Sequence, residues 1–563
     1  MYFDLDDEQQ AFVATVEEFA AKEIAPGAIE RDRAGEWFAE GWRKMGQLGL
    51  LGLQFPEEYG GSGASVLTTA AAFQAFTAGG ADAGIALSWV AHSVLAGTCL
   101  WLAGSDDQKR RYLAKLATGE WIAGYGLTEP GAGSDAASLQ TTAVQRGDRW
   151  ILNGSKMFIT NAPVGDVFVV FATEDRSLGS RGITAFIVER GFPGFSSGRE
   201  LDKMGNRTSP TGELILQDCE VPAENVLGAQ RQGFAIAKAA LEWERFLMMA
   251  HSVGTMQAVL RDSLAYARER RQFGKAIFQQ PAIQAKLADM HLNAAAGELF
   301  VRRVAWLKDQ QQPTPLESSS CKIFCSAAVM QAAAQGVQIL GGFGYLRENP
   351  VERAMRDAKL AEIGGGTTEI QRQVVGRHVL SLSDQRWDEA YTPEQIAARC
   401  KPPAKAPDRV SACLALAEQT RRTLELPGPG TSLDIAAAAT GLAEAALDEA
   451  LAYARPLMDG DAAQLAEFKL ADIRTHLDGA RMLVHKAAVR LDRGDDAAED
   501  VRIARIFAAD AAAFCAEQAA SLAGPTGNPR LVALLEACHA PELAGSSLLL
   551  ERLALARSLA RES

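Results

Sequence analysis

The sequence predicts an α+β multidomain fold: an N-terminal helical domain, a small central β-barrel-like domain, a C-terminal helical bundle, and a degenerate second copy of that bundle. Three observations predict it. Apolar residues recur at helical spacing up to about residue 120 and again from Gly233 to about Arg377. Between those stretches, short β-branched and aromatic runs alternate with turn residues. After a proline-bearing spacer, the helical pattern of the third segment is repeated. These divide the chain at 1–120, 121–232, 233–380, a linker at 381–408, and 409–563.

In the first segment, Phe12, Val16 and Phe19 mark one face of a helix over residues 6–24, which Pro26 and Gly27 stop. Further helical runs follow Trp37 and Val66, and Phe55-Pro56-Glu57-Glu58-Tyr59-Gly60-Gly61 is a loop between them. Residues 83–104 carry no charged side chain and are long enough to span a bilayer. They also contain His92, three hydroxyl side chains and three glycines, without flanking basic asymmetry, so a buried core helix is expected.

In the second segment, Trp150 to Lys156 reads as a strand entering an Asn153-Gly154 hairpin turn. Residues 166–172, 182–188 and 212–217 are further strands. Prolines in Lys401-Pro402-Pro403-Ala404-Lys405-Ala406-Pro407 make the linker an extended spacer. In the tail, Leu264-Ala265-Tyr266-Ala267-Arg268 recurs as Leu451-Ala452-Tyr453-Ala454-Arg455, and Lys286-Leu287-Ala288-Asp289 as Lys469-Leu470-Ala471-Asp472. Lys322-Ile323-Phe324 recurs as Arg505-Ile506-Phe507 at an unchanged spacing, and Gly341 maps to Gly524. The copy has lost Arg270-Arg271-Gln272-Phe273-Gly274-Lys275; Pro456 to Gly460 stand there instead.

With 57 basic and 70 acidic residues in 563, the net charge of −13 argues against nucleic acid or an anionic membrane as a general partner. The eight cysteines form no CxxC pair and no metal-ligand set, so buried thiols in a reducing compartment, the cytoplasm, are expected. The first ten residues are acidic and show no signal-peptide pattern.

The stretch from Gly341-Gly342-Phe343-Gly344-Tyr345 through Arg356-Asp357-Ala358-Lys359 to Gly364-Gly365-Gly366-Thr367-Thr368-Glu369 resembles the C-terminal signature of the acyl-CoA dehydrogenase family, over roughly residues 1–380. The resemblance implies an FAD-dependent enzyme that desaturates acyl thioesters. Electrons would pass to an electron-transfer flavoprotein, and the acyl group would be carried by CoA or an acyl-carrier protein. Most members have a catalytic Glu where this chain has Gly365. Leu241-Glu242-Trp243-Glu244-Arg245 resembles the place where the isovaleryl and long-chain branches carry the base instead, which implies Glu244. A small residue at 365 clears the space for it. Glu242 lies about 200° around the helix from Glu244 and cannot share that role; Glu362 is a weak substitute.

The same resemblance assigns Tyr125, Leu127, Thr128 and Ser134, in a Gly-rich loop, to the flavin or the thioester. Glycines there let backbone N–H groups approach a polar cofactor. Phe158 and Thr160 would contact the isoalloxazine, with Thr367 and Glu369 closing over it. Arg271, Phe273, Gln338, Gly341 and Gly342 would hold the adenine and diphosphate half from a neighbouring subunit. Leu241, Glu242, Arg245 and the Gly365 backbone would meet the substrate. The added bundle is similar to that of the very-long-chain branch, which implies a homodimer whose duplicate bundle replaces a second dimer. Two alternatives stay open: the same fold with non-dehydrogenating, desulfinase-like chemistry, and a non-catalytic assembly subunit.

Overall fold

The structure, a computed structural model, describes residues 4–381, 408–423, 432–457, 462–524, 528–538, 540 and 546–562. The expected spacer at 381–408 lies outside the described residues except for its two ends.

The N-terminal helices start where local chemistry satisfies their free N–H groups. Asp6 accepts from the Gln9 backbone while the Gln9 side chain accepts from Asp6, opening helix Asp7–Phe19; Ser105 and Gln108 do the same for Asp106–Thr118. Residues 83–103 are helical and buried, with Trp89 and Val94 fully enclosed. This helix and Pro315–Leu340 are the two described helices long and apolar enough to cross a membrane, and both lie mostly inside the fold. His92 ties the first of them to the sheet: Nδ1 accepts from the Ala123 amide at 2.9 Å, and Nε2 donates to the Leu116 carbonyl at 3.0 Å. Burial lowers its pKa to about 4, so the ring is neutral.

The middle of the chain forms one eight-stranded sheet: β1 (Ala123–Gly126), β2 (Thr142–Arg146), β3 (Arg149–Thr160), β4 (Val167–Thr173), β5 (Ile183–Glu189), β6 (Phe195–Ser197), β7 (Thr211–Pro222) and β8 (Val226–Leu227). The order is β6-β7-β3-β2-β4-β5-β8, with β1 parallel to β4. Asn153-Gly154 is not a hairpin turn. β3 runs straight through it, with a shift of register against β7. Asn153 bonds the Asp218 side chain and amide on β7, which stabilises the irregularity. The chain reverses earlier, at Gly147-Asp148 between β2 and β3, where Gly147 takes φ 63°.

Helices Gly233–Glu269, Pro281–Asp309, Pro315–Leu340 and Thr368–Ser381 form the first bundle. The first crosses the N-terminal helix Val66–Ala78 at Gly254, where an added Cβ would come 2.0 Å from the Gln74 carbonyl. Only glycine allows that approach.

The second bundle (Ser432–Ala454, Ala463–Arg493, Ala498–Ala523, Ser546–Glu562) repeats the first in its contacts as well as its sequence. Lys286 donates to Gln335 and Lys469 to Gln518, each pair 49 residues apart. The two copies meet reciprocally. Arg372 of the first bundle's last helix bonds Asp472 at 2.7 Å, and Arg552 of the second bundle's last helix bonds Asp289 at 2.7 Å. Asp289 and Asp472 end the two copies of the repeated Lys-Leu-Ala-Asp motif. Phe324 and Phe507, equivalent positions, face each other at 5.8 Å. This is the pattern of an isologous dimer interface made within one chain. One apolar core runs from Val16 through both bundles to Ala556.

Candidate active site

Three turns into helix Gly233–Glu269, Glu244 is 4% exposed among Trp243, Phe246 and Leu247. Among the described residues its Oε2 has no hydrogen-bond partner and no cation lies within ion-pair distance. Facing it is a turn at Gly365 (φ 65°) and Gly366 (φ 88°). A Cβ at Gly365 would come 2.0 Å from Glu244 Oε2. The carboxylate therefore fills the place that a side chain at 365 would take. Burial raises the Glu244 pKa, and the nearby Lys322 and Arg245 only partly oppose it. A carboxylate of raised pKa is a stronger base than an exposed one.

The glycine turn is held from behind. Arg245 Nε donates to Gly365 O at 3.3 Å, Gln371 Nε2 to Gly365 O and Gly366 O at 3.4 and 3.3 Å, and Lys322 Nζ to Gly366 O at 2.6 Å. Sequence reasoning did not select Lys322 or Gln371. A lysine between Cys321 and Ile323 on an otherwise apolar helix was the available signal, because lysine is rarely enclosed without a purpose. Leu241 is half-buried. Glu242 and Arg245, expected on the substrate, are both engaged inside the protein. Glu242 bonds Lys308 Nζ at 2.7 Å and the Thr314 amide and hydroxyl at 3.2 and 2.8 Å. Glu362 is paired with Lys359 one turn away.

The Gly-rich loop leaves β1 beside this carboxylate. Tyr125 reaches the Ala237 carbonyl of the same helix at 3.4 Å and packs on Phe171. Leu127 is buried, and the Thr128 carbonyl accepts from the Met157 amide at 2.9 Å. Under the loop lies a buried ion pair: Lys156 Nζ meets Glu129 at 2.7 Å and the Leu127 carbonyl at 3.3 Å. Glu129 also accepts from the Gln140 and Thr141 amides at 2.5 and 2.9 Å. Burial pushes its pKa up, but Lys156 and these bonds outweigh that and hold it low. The stability it contributes is thus present above the ordinary glutamate pKa and is lost as pH falls through the depressed one. Glu129→Gln strands the Lys156 ammonium. It should cost about 3–5 kcal/mol, read as a lowered thermal midpoint at neutral pH, with the difference shrinking in acid.

Beyond that anchor the loop is open. A Cβ at Gly131 or Gly133 would meet nothing within 4 Å, and Ser134 is exposed. Phe158 shows 62% of its surface at φ 61°, two residues before Thr160. Thr367 follows the glycine turn and Glu369 is exposed beside it. Tyr125 and Lys322 face Glu244, and Glu369 faces Lys322. Arg271, Phe273, Gln338, Gly341 and Gly342 do not lie with them. They sit at the far end of helix Gly233–Glu269, about 39 Å from Glu244 along the helix axis at 1.5 Å per residue. There Phe273 is 94% exposed, and it lines a groove with Tyr266, Ile277, Gly341, Gly342 and Phe343. Gln338 is exposed on the preceding helix.

Family models agree with this layout. Residues 6–120 match the acyl-CoA dehydrogenase N-terminal domain and 124–219 the middle domain, while the C-terminal domain matches twice over, at 231–380 and 432–553. The chain belongs to the acyl-CoA dehydrogenase family. It is 40% identical to the short-chain-specific acyl-CoA dehydrogenase of Clostridium acetobutylicum, over 67% of this chain and 98% of that one. It is 40% identical to the mitochondrial isovaleryl-CoA dehydrogenase of Pongo abelii, over 66% and 89%. The acyl-CoA dehydrogenase of Bacillus anthracis, solved with FAD, superposes at a TM-score of 0.83 and 27% identity over 99% of this chain and 96% of that one. This acyl-CoA dehydrogenase is an FAD-dependent oxidoreductase acting on acyl thioesters. The residues present fit a flavin: open glycines at 131 and 133, an exposed aromatic at 158 and hydroxyls at 134 and 160 are polar and π-stacking groups left accessible.

Proposed function

We propose that this enzyme removes the α-proton of an acyl thioester with Glu244 while a hydride leaves the β-carbon. One observation carries the reading: the Glu244 carboxylate occupies the space vacated at Gly365, with one oxygen unpaired. Glu244 takes the proton at Oε2. The Gly365 amide polarises the thioester carbonyl, and Arg245, Gln371 and Lys322 fix the turn that presents it. Bound FAD supplies the hydride acceptor. Tyr125, Leu127, Thr128, Ser134, Phe158 and Thr160 would hold it, and Thr367 and Glu369 would close over it. Leu241, half-buried on the same helix, would meet the substrate. Electrons pass on to an electron-transfer flavoprotein. Anaerobic mixing with a panel of acyl-CoA and acyl-carrier thioesters tests the base. Flavin bleaching by wild type and its loss in Glu244→Gln is expected; equal bleaching in both removes Glu244 from the role.

The complete site takes two chains. About 39 Å of rise along the helix axis separates Glu244 from the end that carries Arg271 and the groove at Phe273 and Gly342, farther than one FAD reaches. The second half of the cofactor would thus rest on Arg271, Phe273, Gln338, Gly341 and Gly342 of a second copy. The reciprocal Arg372–Asp472 and Arg552–Asp289 pairs support a homodimer, since the duplicate bundle already occupies a dimer-like face. Arg271→Ala should weaken FAD binding about 10–100-fold, the worth of a charge-assisted bond, measured by flavin fluorescence on dilution. Six described cysteines are free and buried, which supports a cytoplasmic setting.

A further inference from the structure

Lys322 is fully enclosed on helix Pro315–Leu340, between the buried Cys321 and Ile323. Its hydrogen bond goes to the Gly366 carbonyl at 2.6 Å, and among the described residues no carboxylate lies within ion-pair distance of it. An enclosed ammonium without a paired anion opposes folding. The equivalent position in the duplicate bundle shows that the fold does not require this arrangement. Arg505 there reaches Glu551 at 3.1 Å and Ser432 at 3.2 Å, an ordinary half-buried ion pair. The lysine of the copy that retains the glycine turn is spent on that turn.

We propose that Lys322 is a positioning residue for proton abstraction: it pins the Gly365–Gly366 turn from behind and keeps a positive charge beside the Glu244 carboxylate without touching it. This rests on Glu244 being the base. Bond and charge are separable. Gln371 and Arg245 hold the same two carbonyls, so the turn has other supports. The charge has fewer substitutes. The ionisable groups facing Glu244 are Lys322 from helix Pro315–Leu340, Arg245 from its own helix and Tyr125 from β1; Glu369, from Thr368–Ser381, acts on Lys322. Tyr125 is kept neutral by burial, and Glu242 is taken up by Lys308. Without Lys322, Arg245 is the cation left, and the Glu244 proton should come off at higher pH.

Anaerobic stopped-flow reduction of the enzyme-bound flavin, followed against pH, tests this in the holoenzyme. Lys322→Gln keeps a donor for Gly366 and removes the charge. The midpoint of its acid limb should rise by about one pH unit or more, so that the rate below the midpoint falls about tenfold. Lys322→Arg should keep the wild-type midpoint. Gln371→Leu, which removes a bond and no charge, should lower the plateau rate without moving the midpoint. An unmoved midpoint in Lys322→Gln overturns the proposal, whatever its plateau. Should Lys322→Gln fail to retain FAD, Lys322→Arg decides: a wild-type midpoint supports the role, and a displaced one overturns it. Glu244→Gln separates this from the underlying reading. Loss of the acid limb there, with no shift in Lys322→Gln, sinks the lysine alone; an unchanged profile in Glu244→Gln sinks the base assignment.

Discussion

Glu244→Gln is expected to slow flavin reduction by an acyl thioester about 10²–10⁴-fold, the contribution of a positioned general base. The amide has the shape of the carboxylate and fits the same gap against Gly365, so FAD and substrate should stay bound. Stability should move the other way. Burial raises the Glu244 pKa, so the folded state disfavours its ionised form, and the associated stability is lost as pH rises through that raised value. The glutamine variant should therefore melt no lower than wild type at mildly alkaline pH, with any advantage vanishing in acid. Stopped-flow absorbance and thermal melts across pH read both effects. A variant that keeps wild-type reduction rates, or that melts well below wild type at every pH, contradicts this account.

Gly365→Ala is the second large effect. A side chain there meets Glu244 Oε2 at 2.0 Å, and φ 65° is a left-handed backbone. The backbone term costs about 1–2 kcal/mol and the overlap about 1–3 more. Displacing the carboxylate by about 1 Å should itself lower turnover about 100-fold. The two costs can be told apart. In a Glu244→Gly background the overlap disappears and the backbone term stays, so the alanine should destabilise the double variant less than it does wild type. Equal destabilisation in both backgrounds, measured by denaturant unfolding, would show that the two positions do not share one space.

Much of this was legible before any coordinates. The order of helical, sheet and helical segments follows from apolar periodicity, and the duplication from motifs kept at fixed spacing. The resemblance to the family also pointed to Glu244 and Gly365 as a pair, since most members carry at 365 the acid that this chain carries at 244. Other features were not. Asn153-Gly154 has turn chemistry, yet β3 continues through it because β7 supplies partners on both sides of the irregularity. Glu242 looked available for substrate, but Lys308 and Thr314, more than sixty residues away in sequence, take it up. Lys322 was hidden because a single lysine on an apolar helix does not disclose what lies at the end of its side chain.

By itself, then, the sequence determined the family, the domain order and the doubled bundle. All of these reside in residue identity and spacing, which survive without coordinates. Only the tertiary structure decided that the carboxylate reaches into the space above Gly365 and that Lys322 backs the turn. It also decided that the two bundles face each other through reciprocal Arg–Asp pairs, and that Phe273, Gly341 and Gly342 lie a helix length from Glu244. Those are matters of distance between segments far apart in the chain, and they are fixed by how the long helices pack.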